Sequence, residues 1–104
     1  MNLLYQIIGS LRKKGEQMPN LEDLTLYHFE SCPYCLFVRD TLEEMELQIK
    51  LKDVRENPKF KSELIRGGGK QTVPCLHIKG KGVSEKWMYE SQDIVSFLKE
   101  TFAK

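Results

Sequence analysis

The sequence predicts an α/β fold with one four-stranded mixed sheet flanked by helices, in the order βαβ followed by ββα, and an extra helix ahead of them. Three observations support this prediction. Short segments of alternating apolar residues are rich in strand formers, longer segments repeat apolar residues at helical spacing, and glycine- or proline-containing turns separate them. At 104 residues the chain can bury a single core, so we expect one main domain.

The N-terminal segment is predicted to be an appendage of that domain. Residues 1–14 carry apolar side chains at helical spacing and end in a cationic turn before Gly15, which predicts a short amphipathic helix. A linker is expected over 16–23, so residues 1–23 precede a main domain at 24–104. Two interpretations of the helix stay open. It either packs on or extends from the domain, or it docks on a membrane surface or a partner.

The first half of the domain is predicted to run strand, helix, strand, helix. Residues 24–29 alternate in a strand pattern and lead into a helical pattern over 33–47, whose first residue is a proline. Residues 49–54 alternate again, and Asn57-Pro58 is typical of the start of a second helix. Cys32 therefore lies where the first strand leads into the first helix.

The second half is predicted to contain two strands and a helix. Gly67-Gly68-Gly69 ends the preceding helix, and residues 73–78 form a strand pattern with a proline near its start. The turn Gly80-Lys81-Gly82 leads to a fourth strand that ends near residues 87–89. Ser91 is then predicted to cap the last helix, whose apolar residues follow helical spacing.

Composition narrows the classes of function. Lys and Arg total 16 against 15 for Asp and Glu, so a net charge of +1 gives no reason to expect nucleic acid as a partner. No apolar run approaches the roughly 20 residues of a membrane span, and the N-terminal apolar residues are too interrupted for a signal peptide. Three cysteines, an odd number, do not suggest a secreted disulfide scaffold. We therefore expect a soluble cytoplasmic protein.

The run Cys32-Pro33-Tyr34-Cys35 is the candidate catalytic site. A disulfide across so short a loop would stabilise the fold little, so redox chemistry explains the pair better than architecture does. A thiol attacks a disulfide only as its thiolate, which the N–H groups and dipole of a helix N-terminus stabilise, and this favours Cys32 as the attacking sulfur. Cys35, one turn further on, can resolve the resulting mixed disulfide. Pro33 would stiffen the turn, and Tyr34 would place an apolar wall beside Cys32.

Two motifs resemble those of the glutaredoxin family. Cys32-Pro33-Tyr34-Cys35 is similar to the active-site tetrad of dithiol glutaredoxins, and Thr72-Val73-Pro74 resembles their second signature. The resemblance implies the thioredoxin fold and the reduction of protein disulfides and glutathione mixed disulfides, with glutathione as co-substrate. It also implies a cis bond before Pro74 and antiparallel pairing of Val73 with the cysteinyl unit of glutathione. Both are physically reasonable at an X-Pro bond and a sheet edge.

Glu90-Ser91 resembles the Glu-Ser pair that holds the γ-glutamyl end of glutathione in the N-terminal domain of glutathione transferases. Ser91 and the first N–H groups of the last helix would accept the α-carboxylate, while Glu90 would pair with the α-ammonium. The alternative is a plain helix cap preceded by a solvated acid.

Two positions depart from the glutaredoxin pattern. Phe29 stands where many members have a lysine, and Gln71 stands where a basic residue often precedes the Thr-Val-Pro run. Lys70, with Gln71 as a polar helper, is the candidate for binding the glycine carboxylate of glutathione, and a freely solvated Lys70 is the alternative. The residues predicted to bind glutathione are Tyr34, Lys70, Gln71, Thr72, Val73, Pro74, Glu90 and Ser91.

The remaining cysteine and the histidines are interpreted as structural. Cys75 fits a small buried strand side chain, with a third redox thiol or a site of glutathionylation as the alternative. His28 and His77 both lie in predicted strands. Cys32, Cys35, Cys75 and His77 form a formal zinc set, but a gap of one residue on a strand is not typical of a structural zinc site, and we expect no metal.

Other functions stay open beside the glutathione-dependent reductase. They are a thioredoxin-like protein-disulfide reductase and a noncatalytic glutathione- or metal-binding module. An iron–sulfur cluster bridging two chains is disfavoured, because glutaredoxins that form one favour glycine or serine after the first cysteine, where this chain has Pro33. Tyr34 and Glu90-Ser91 favour glutathione. The expected partners are glutathione and disulfide-bearing or glutathionylated proteins, and the chain is expected to be a monomer.

Overall fold

The computed structural model describes residues 19–80 and 85–103, and within them one mixed sheet of four strands carries helices on both faces. The predicted helix at 1–14 and most of the predicted turn at Gly80-Lys81-Gly82 lie outside the described residues. The strands are β1 (Leu24–His28), β2 (Lys50–Asp53), β3 (Cys75–Ile78) and β4 (Lys86–Met88). The helices are α1 (Pro33–Glu44), α2 (Pro58–Gly68) and α3 (Ser91–Phe102).

The strand order in the sheet is β2-β1-β3-β4. β1 pairs parallel with β2 and antiparallel with β3, and β3 pairs antiparallel with β4. Two parallel strands need a crossover, which α1 provides between β1 and β2. The βαβ and ββα halves predicted from the sequence are therefore confirmed.

Local residues explain where two of the helices begin and end. Pro33 is the first residue of α1, where its missing N–H costs nothing. Asn57 caps α2, because its side chain accepts a hydrogen bond from the backbone N–H of Lys59 at 2.9 Å. Gly69 ends α2 in the left-handed region, with φ of 89°. Glu46 turns the chain after α1 with φ of 57°, so that helix ends at Glu44 rather than near residue 47.

The prediction that Ser91 caps the last helix is wrong. Glu90 is the capping residue, with extended backbone angles of φ −85° and ψ 126°, and it makes no side-chain capping bond. Ser91 is already the first helical residue of α3 because the extended chain that leaves β4 continues through Glu90.

The end of the predicted linker is ordered against the sheet. Leu21–Asp23 forms a short 3-10 helix, in which the Asp23 carboxylate accepts a hydrogen bond from the backbone N–H of Asn20 at 3.0 Å. The backbone oxygen of Asp23 also accepts from the N–H of Lys79 at 2.9 Å, which attaches this turn to the end of β3.

Two apolar clusters lie on opposite faces of the sheet, because successive strand side chains alternate in direction. The larger one joins the sheet to α1 and α3 and consists of Leu24, Leu26, Val38, Leu42, Leu76, Ile78, Ile94, Val95 and Leu98. The smaller one, under α2, is built from Tyr27, Leu64 and Cys75. None of the helices in the described part of the chain is long and apolar enough to cross a membrane.

Candidate active site

Three sequence motifs meet at one edge of the sheet. β1 ends at this edge, and its Tyr27 pairs with Cys75, the first residue of the antiparallel β3. β4 runs antiparallel to β3, with Met88 opposite Leu76, so its end also points to this edge. The loop that carries Cys32, the residues before Cys75 and the start of α3 are thus brought to one side of the domain.

Cys32 occupies the capping position of α1, as its place in the sequence predicts. Its backbone is extended, with φ of −76° and ψ of 117°, and its Sγ accepts a hydrogen bond from the backbone N–H of Cys35 at 3.2 Å. Unpaired N–H groups at a helix N-terminus stabilise negative charge. The sulfur of Cys32 therefore lies at the N-terminus of α1, in contact with a backbone N–H group of its first turn.

The two cysteines have unequal surroundings. Cys32 keeps 5% of its surface exposed, whereas Cys35 has 0%. Burial raises the pKa of the Cys35 thiol to about 12, and its hydrogen bond with Cys32 acts in the same direction. A thiol with this pKa is protonated at neutral pH and is a poor nucleophile, so the geometry supports attack by Cys32 and a later role for Cys35.

Arg39 of α1 fixes the loop that leads to Cys32. Its guanidinium donates to Nδ1 of His28 at 2.9 Å and to the backbone oxygens of Phe29 at 3.3 Å and Glu30 at 3.0 Å. Burial, and then the charge of Arg39, lowers the pKa of His28, which keeps that ring neutral and able to accept. His28 is thus a structural residue here, joined to the loop by Arg39.

Arg55 lies beside the same loop and was not among the predicted site residues. Its guanidinium carbon is 3.6 Å from the centre of the Phe29 ring, and Nη1 is 3.5 Å from Oγ of Ser31. The Asp53 carboxylate holds the Arg55 backbone by accepting its N–H at 2.8 Å. No carboxylate in the described residues forms an ion pair with Arg55. A cation therefore lies beside Ser31, the residue before Cys32, although position 29 is a phenylalanine.

The Thr72-Val73-Pro74 segment contains a cis peptide bond between Val73 and Pro74, as the resemblance implies. Pro74 is buried, Val73 is half-buried and Thr72 is exposed. Val73 precedes the first paired residue of β3, so its backbone lies at the end of the ladder.

The other predicted glutathione-binding residues are mostly exposed. Lys70 and Gln71 are exposed, and Nζ of Lys70 is 5.3 Å from the centre of the Tyr89 ring. Glu90 is exposed and Ser91 is half-buried at the start of α3. Tyr34 is 66% exposed, so its side chain is not packed in the core of the domain.

Cys75 and His77 lie on the sheet face that α2 partly covers. Burial raises the pKa of the Cys75 thiol to about 12, and the nearby Tyr89 hydroxyl acts in the opposite direction. Nε2 of His77 is 2.6 Å from a carboxylate oxygen of Glu85, and its ring stacks on Trp87 with 3.9 Å between centres. Within residues 19–80 and 85–103 no three Cys, His, Asp or Glu side chains are placed to hold a metal ion.

These features define a thioredoxin-like fold with a cysteine pair at a strand-to-helix junction and a cis-proline segment at the same edge. Residues 24–83 match the family model described as Glutaredoxin, which is more than half of the chain. The chain therefore belongs to the glutaredoxin family. None of the curated proteins compared with it is significantly similar in sequence.

Solved structures share this fold. Glutathione transferase Omega 3C from Trametes versicolor is 31% identical with a TM-score of 0.66, over 86% of this chain and 38% of that one. A glutathione transferase from Bombyx mori is 22% identical with a TM-score of 0.66, over 85% of this chain and 39% of that one. A thioredoxin-like protein is 18% identical with a TM-score of 0.62, over 76% and 92% of the two chains. The chain thus spans well under half the length of the two transferases.

Proposed function

We propose that the protein is a glutathione-dependent thiol–disulfide oxidoreductase that reduces glutathione mixed disulfides and protein disulfides. The 3.2 Å hydrogen bond from the Cys35 N–H to Sγ of Cys32, at the start of α1, carries this proposal. The Cys32 sulfur accepts from the first turn of the helix, and the fully buried sulfur of Cys35 lies one turn further on. Membership of the glutaredoxin family supports the same class of chemistry.

The reaction begins at Cys32. Its thiolate attacks the glutathione sulfur of a mixed disulfide, so a new S–S bond joins Cys32 to glutathione while the target protein leaves as a thiolate. A thiolate of free glutathione then attacks the bound glutathione sulfur, which releases glutathione disulfide and restores the Cys32 thiolate. Each of the two steps forms one S–S bond and breaks one, and both sulfurs of the glutathione disulfide that is released come from glutathione.

Cys35 provides a second route, needed for protein disulfides. After losing its proton to solvent, its sulfur attacks the Cys32 sulfur and expels the bound thiol, leaving an intramolecular disulfide. Two glutathione molecules reduce that disulfide in successive exchanges. The raised pKa of Cys35 disfavours its thiolate at neutral pH, which acts against this resolving step.

The edge that carries Cys32 also offers groups suited to a tripeptide. The Val73 backbone can pair with the cysteinyl unit in the manner of an added strand, and Glu90-Ser91 can hold the γ-glutamyl end through charge and the N–H groups of α3. The sequence identity of 31% to a glutathione transferase supports this ligand.

Arg55 is the group we assign to the glycine carboxylate of glutathione. Its guanidinium stacks on the Phe29 ring, and Nη1 lies 3.5 Å from Oγ of Ser31, the residue before Cys32. Arginine binds carboxylates through two parallel N–H groups, which suits this task better than an ammonium. Lys70, on the other side of the site near Tyr89, is the second candidate.

A coupled assay tests the proposal. Glutathionylated peptide is the substrate, and oxidised glutathione is followed through NADPH and glutathione reductase, for the wild type, Cys32→Ser and Cys35→Ser. We expect no turnover with Cys32→Ser and retained turnover with Cys35→Ser. Wild type that is reduced by a dithiol such as dithiothreitol but shows no turnover with glutathione would instead support the thioredoxin-like reductase. Turnover that survives Cys32→Ser would exclude Cys32 as the nucleophile.

A further inference from the structure

The Tyr89 hydroxyl acts as a hydrogen-bond partner for both backbone groups of Lys70. It accepts the Lys70 N–H at 3.2 Å and donates to the Lys70 carbonyl oxygen at 3.0 Å. The Lys70 ammonium lies 5.3 Å from the centre of the same ring, within the range of a cation–π contact. One side chain thus satisfies the polar backbone groups of a residue that belongs to neither a helix nor a strand.

The end of α2 is shaped to admit this ring. A Cβ atom at Gly68 would lie 1.9 Å from the Tyr89 hydroxyl oxygen and 2.8 Å from the ring carbon that carries it. No side chain other than hydrogen fits there while the ring keeps its place. Gly68 therefore leaves the space through which Tyr89 reaches Lys70.

Tyr89 and Lys70 belong to two different parts of the proposed glutathione site. Tyr89 immediately precedes Glu90-Ser91, and Lys70 leads into Thr72-Val73-Pro74. We propose that Tyr89 is a positioning residue whose hydroxyl holds these two segments at the spacing that lets one glutathione molecule contact both. This inference rests on the proposed function.

The effect on the reaction follows from where the hydroxyl acts. Without it, the backbone groups of Lys70 can bond to water because the residue is exposed, so the domain should remain folded. The loop would lose its fixed position, and glutathione would have to order it on binding. Cys32 and the start of α1 make no hydrogen bond with Tyr89, so the reactivity of the sulfur should stay as it is.

The test compares Tyr89→Phe with Tyr27→Phe. Tyr27→Phe is the matched control, because it also removes one hydroxyl, which bonds to Glu63 at 3.0 Å on the α2 face and not at the proposed site. In the coupled assay we expect Tyr89→Phe to raise the KM for glutathione about three- to tenfold with little change in kcat. The control should keep the wild-type KM. Reduction of the Cys32–Cys35 disulfide by dithiothreitol should be unchanged in both variants.

The outcomes separate this inference from the proposed function. If the wild type does not use glutathione, the proposed function is wrong and the inference fails with it. If the wild type uses glutathione and Tyr89→Phe keeps its KM, only the inference fails. Equal effects of the two variants, or a parallel loss of the dithiothreitol reaction, would indicate a general structural role and also overturn it. With the expected result, the Lys70 amide should exchange hydrogen faster in Tyr89→Phe than in the wild type, and at the wild-type rate in Tyr27→Phe.

Discussion

The backbone N–H of Cys35 donates a hydrogen bond to the Sγ of Cys32 at 3.2 Å, across the first turn of α1. The same residue that supports the Cys32 sulfur through its backbone carries a thiol that is fully buried. The pair is therefore chemically unequal before any substrate binds.

The first prediction concerns thiol reactivity. Burial raises the pKa of Cys35 and of Cys75 from 9.0 to about 12, and three pKa units correspond to about a 1,000-fold smaller thiolate fraction. Cys32→Ser removes the contribution of Cys32 to the pKa of Cys35 but leaves both thiols buried, and every group that sets the pKa of Cys75 stays in place. In this variant, alkylation of Cys75 by iodoacetamide at neutral pH should be about 100- to 1,000-fold slower than in the same variant unfolded in urea, and alkylation of Cys35 should also be slowed by its burial. The rate should rise as pH increases toward 12. Alkylation of the folded variant at the rate of the unfolded one would contradict the assignment.

The second prediction concerns stability in mild acid. The folded pKa of His28 is lowered from 6.5, first by burial and then by Arg39, although Asp53, Glu30 and Glu56 act in the opposite direction. The unfolded chain therefore protonates His28 more readily than the folded chain does. The stability that neutral His28 contributes is present above about pH 6.5 and is lost as pH falls through the folded pKa. The free energy of unfolding, measured by urea titration between about pH 5 and 7.5, should decrease toward the acid end.

His28→Gln should remove that part of the pH dependence, since an amide oxygen can still accept from Arg39 but does not titrate. His77→Gln is the matched control, because it leaves His28 and Arg39 in place, and should retain it. An unchanged slope in His28→Gln would show that other groups cause the effect. Glu63 does not account for the decrease in stability, because its pKa is lowered, mainly by its hydrogen bond with Lys52, and lies below the pH range of the urea titrations.

The third prediction concerns Gly68 and Gly69, two of the three glycines at the end of α2. Gly68→Ala would place Cβ 1.9 Å from the Tyr89 hydroxyl oxygen, and overpacking of this kind typically costs about 1–3 kcal/mol of unfolding free energy. Gly69→Ala has open space around it but a φ of 89°, so its cost of about 1 kcal/mol should come from backbone strain.

A double-mutant cycle distinguishes the two causes. Combining Gly68→Ala with Tyr89→Phe removes the atom of closest overlap, so the two destabilisations should be less than additive. Gly69→Ala combined with Tyr89→Phe should be additive within about 0.5 kcal/mol. Additivity in both pairs would show that the Tyr89 hydroxyl does not require Gly68.

The fourth prediction concerns Arg55. Arg55→Gln should raise the KM for glutathione about three- to tenfold by removing a charge-assisted pair with the glycine carboxylate. The effect should shrink at high salt because the guanidinium is exposed. Arg66→Gln removes another exposed arginine, from α2, and serves as the control, with no expected change in KM. Similar KM values for the two variants would exclude Arg55 and leave Lys70 as the candidate.

Features that depend on neighbouring residues in the chain were predictable from the sequence. Asn57 caps α2 through the N–H of Lys59, two residues away, and Cys32 caps α1 through the N–H of Cys35, three residues away. Alternating residues predicted the strands because successive side chains along a strand point to opposite faces of a sheet. The start of α3 was misplaced by one residue, since the path of the chain leaving β4, and not the side chain of Ser91, decides it.

Two residues of the candidate site could not be found in this way. Arg55 reaches Ser31 across 24 positions, and Tyr89 reaches Lys70 across 19. Neither belongs to a motif, and each contact exists only after the strands pair and bring separate loops to one edge. The absence of a lysine at position 29 indicated that a cation was missing, but not which residue supplies it.

Trapping the mixed disulfide tests the central claim, that Cys32 is the attacking sulfur, most directly. Cys35→Ser is incubated with a glutathionylated peptide, the products are separated without reductant, and the protein is digested and mapped by mass spectrometry. We expect one glutathione per chain, attached to Cys32, and no adduct in a parallel sample of Cys32→Ser. An adduct on Cys75, or glutathione retained by Cys32→Ser, would contradict the account.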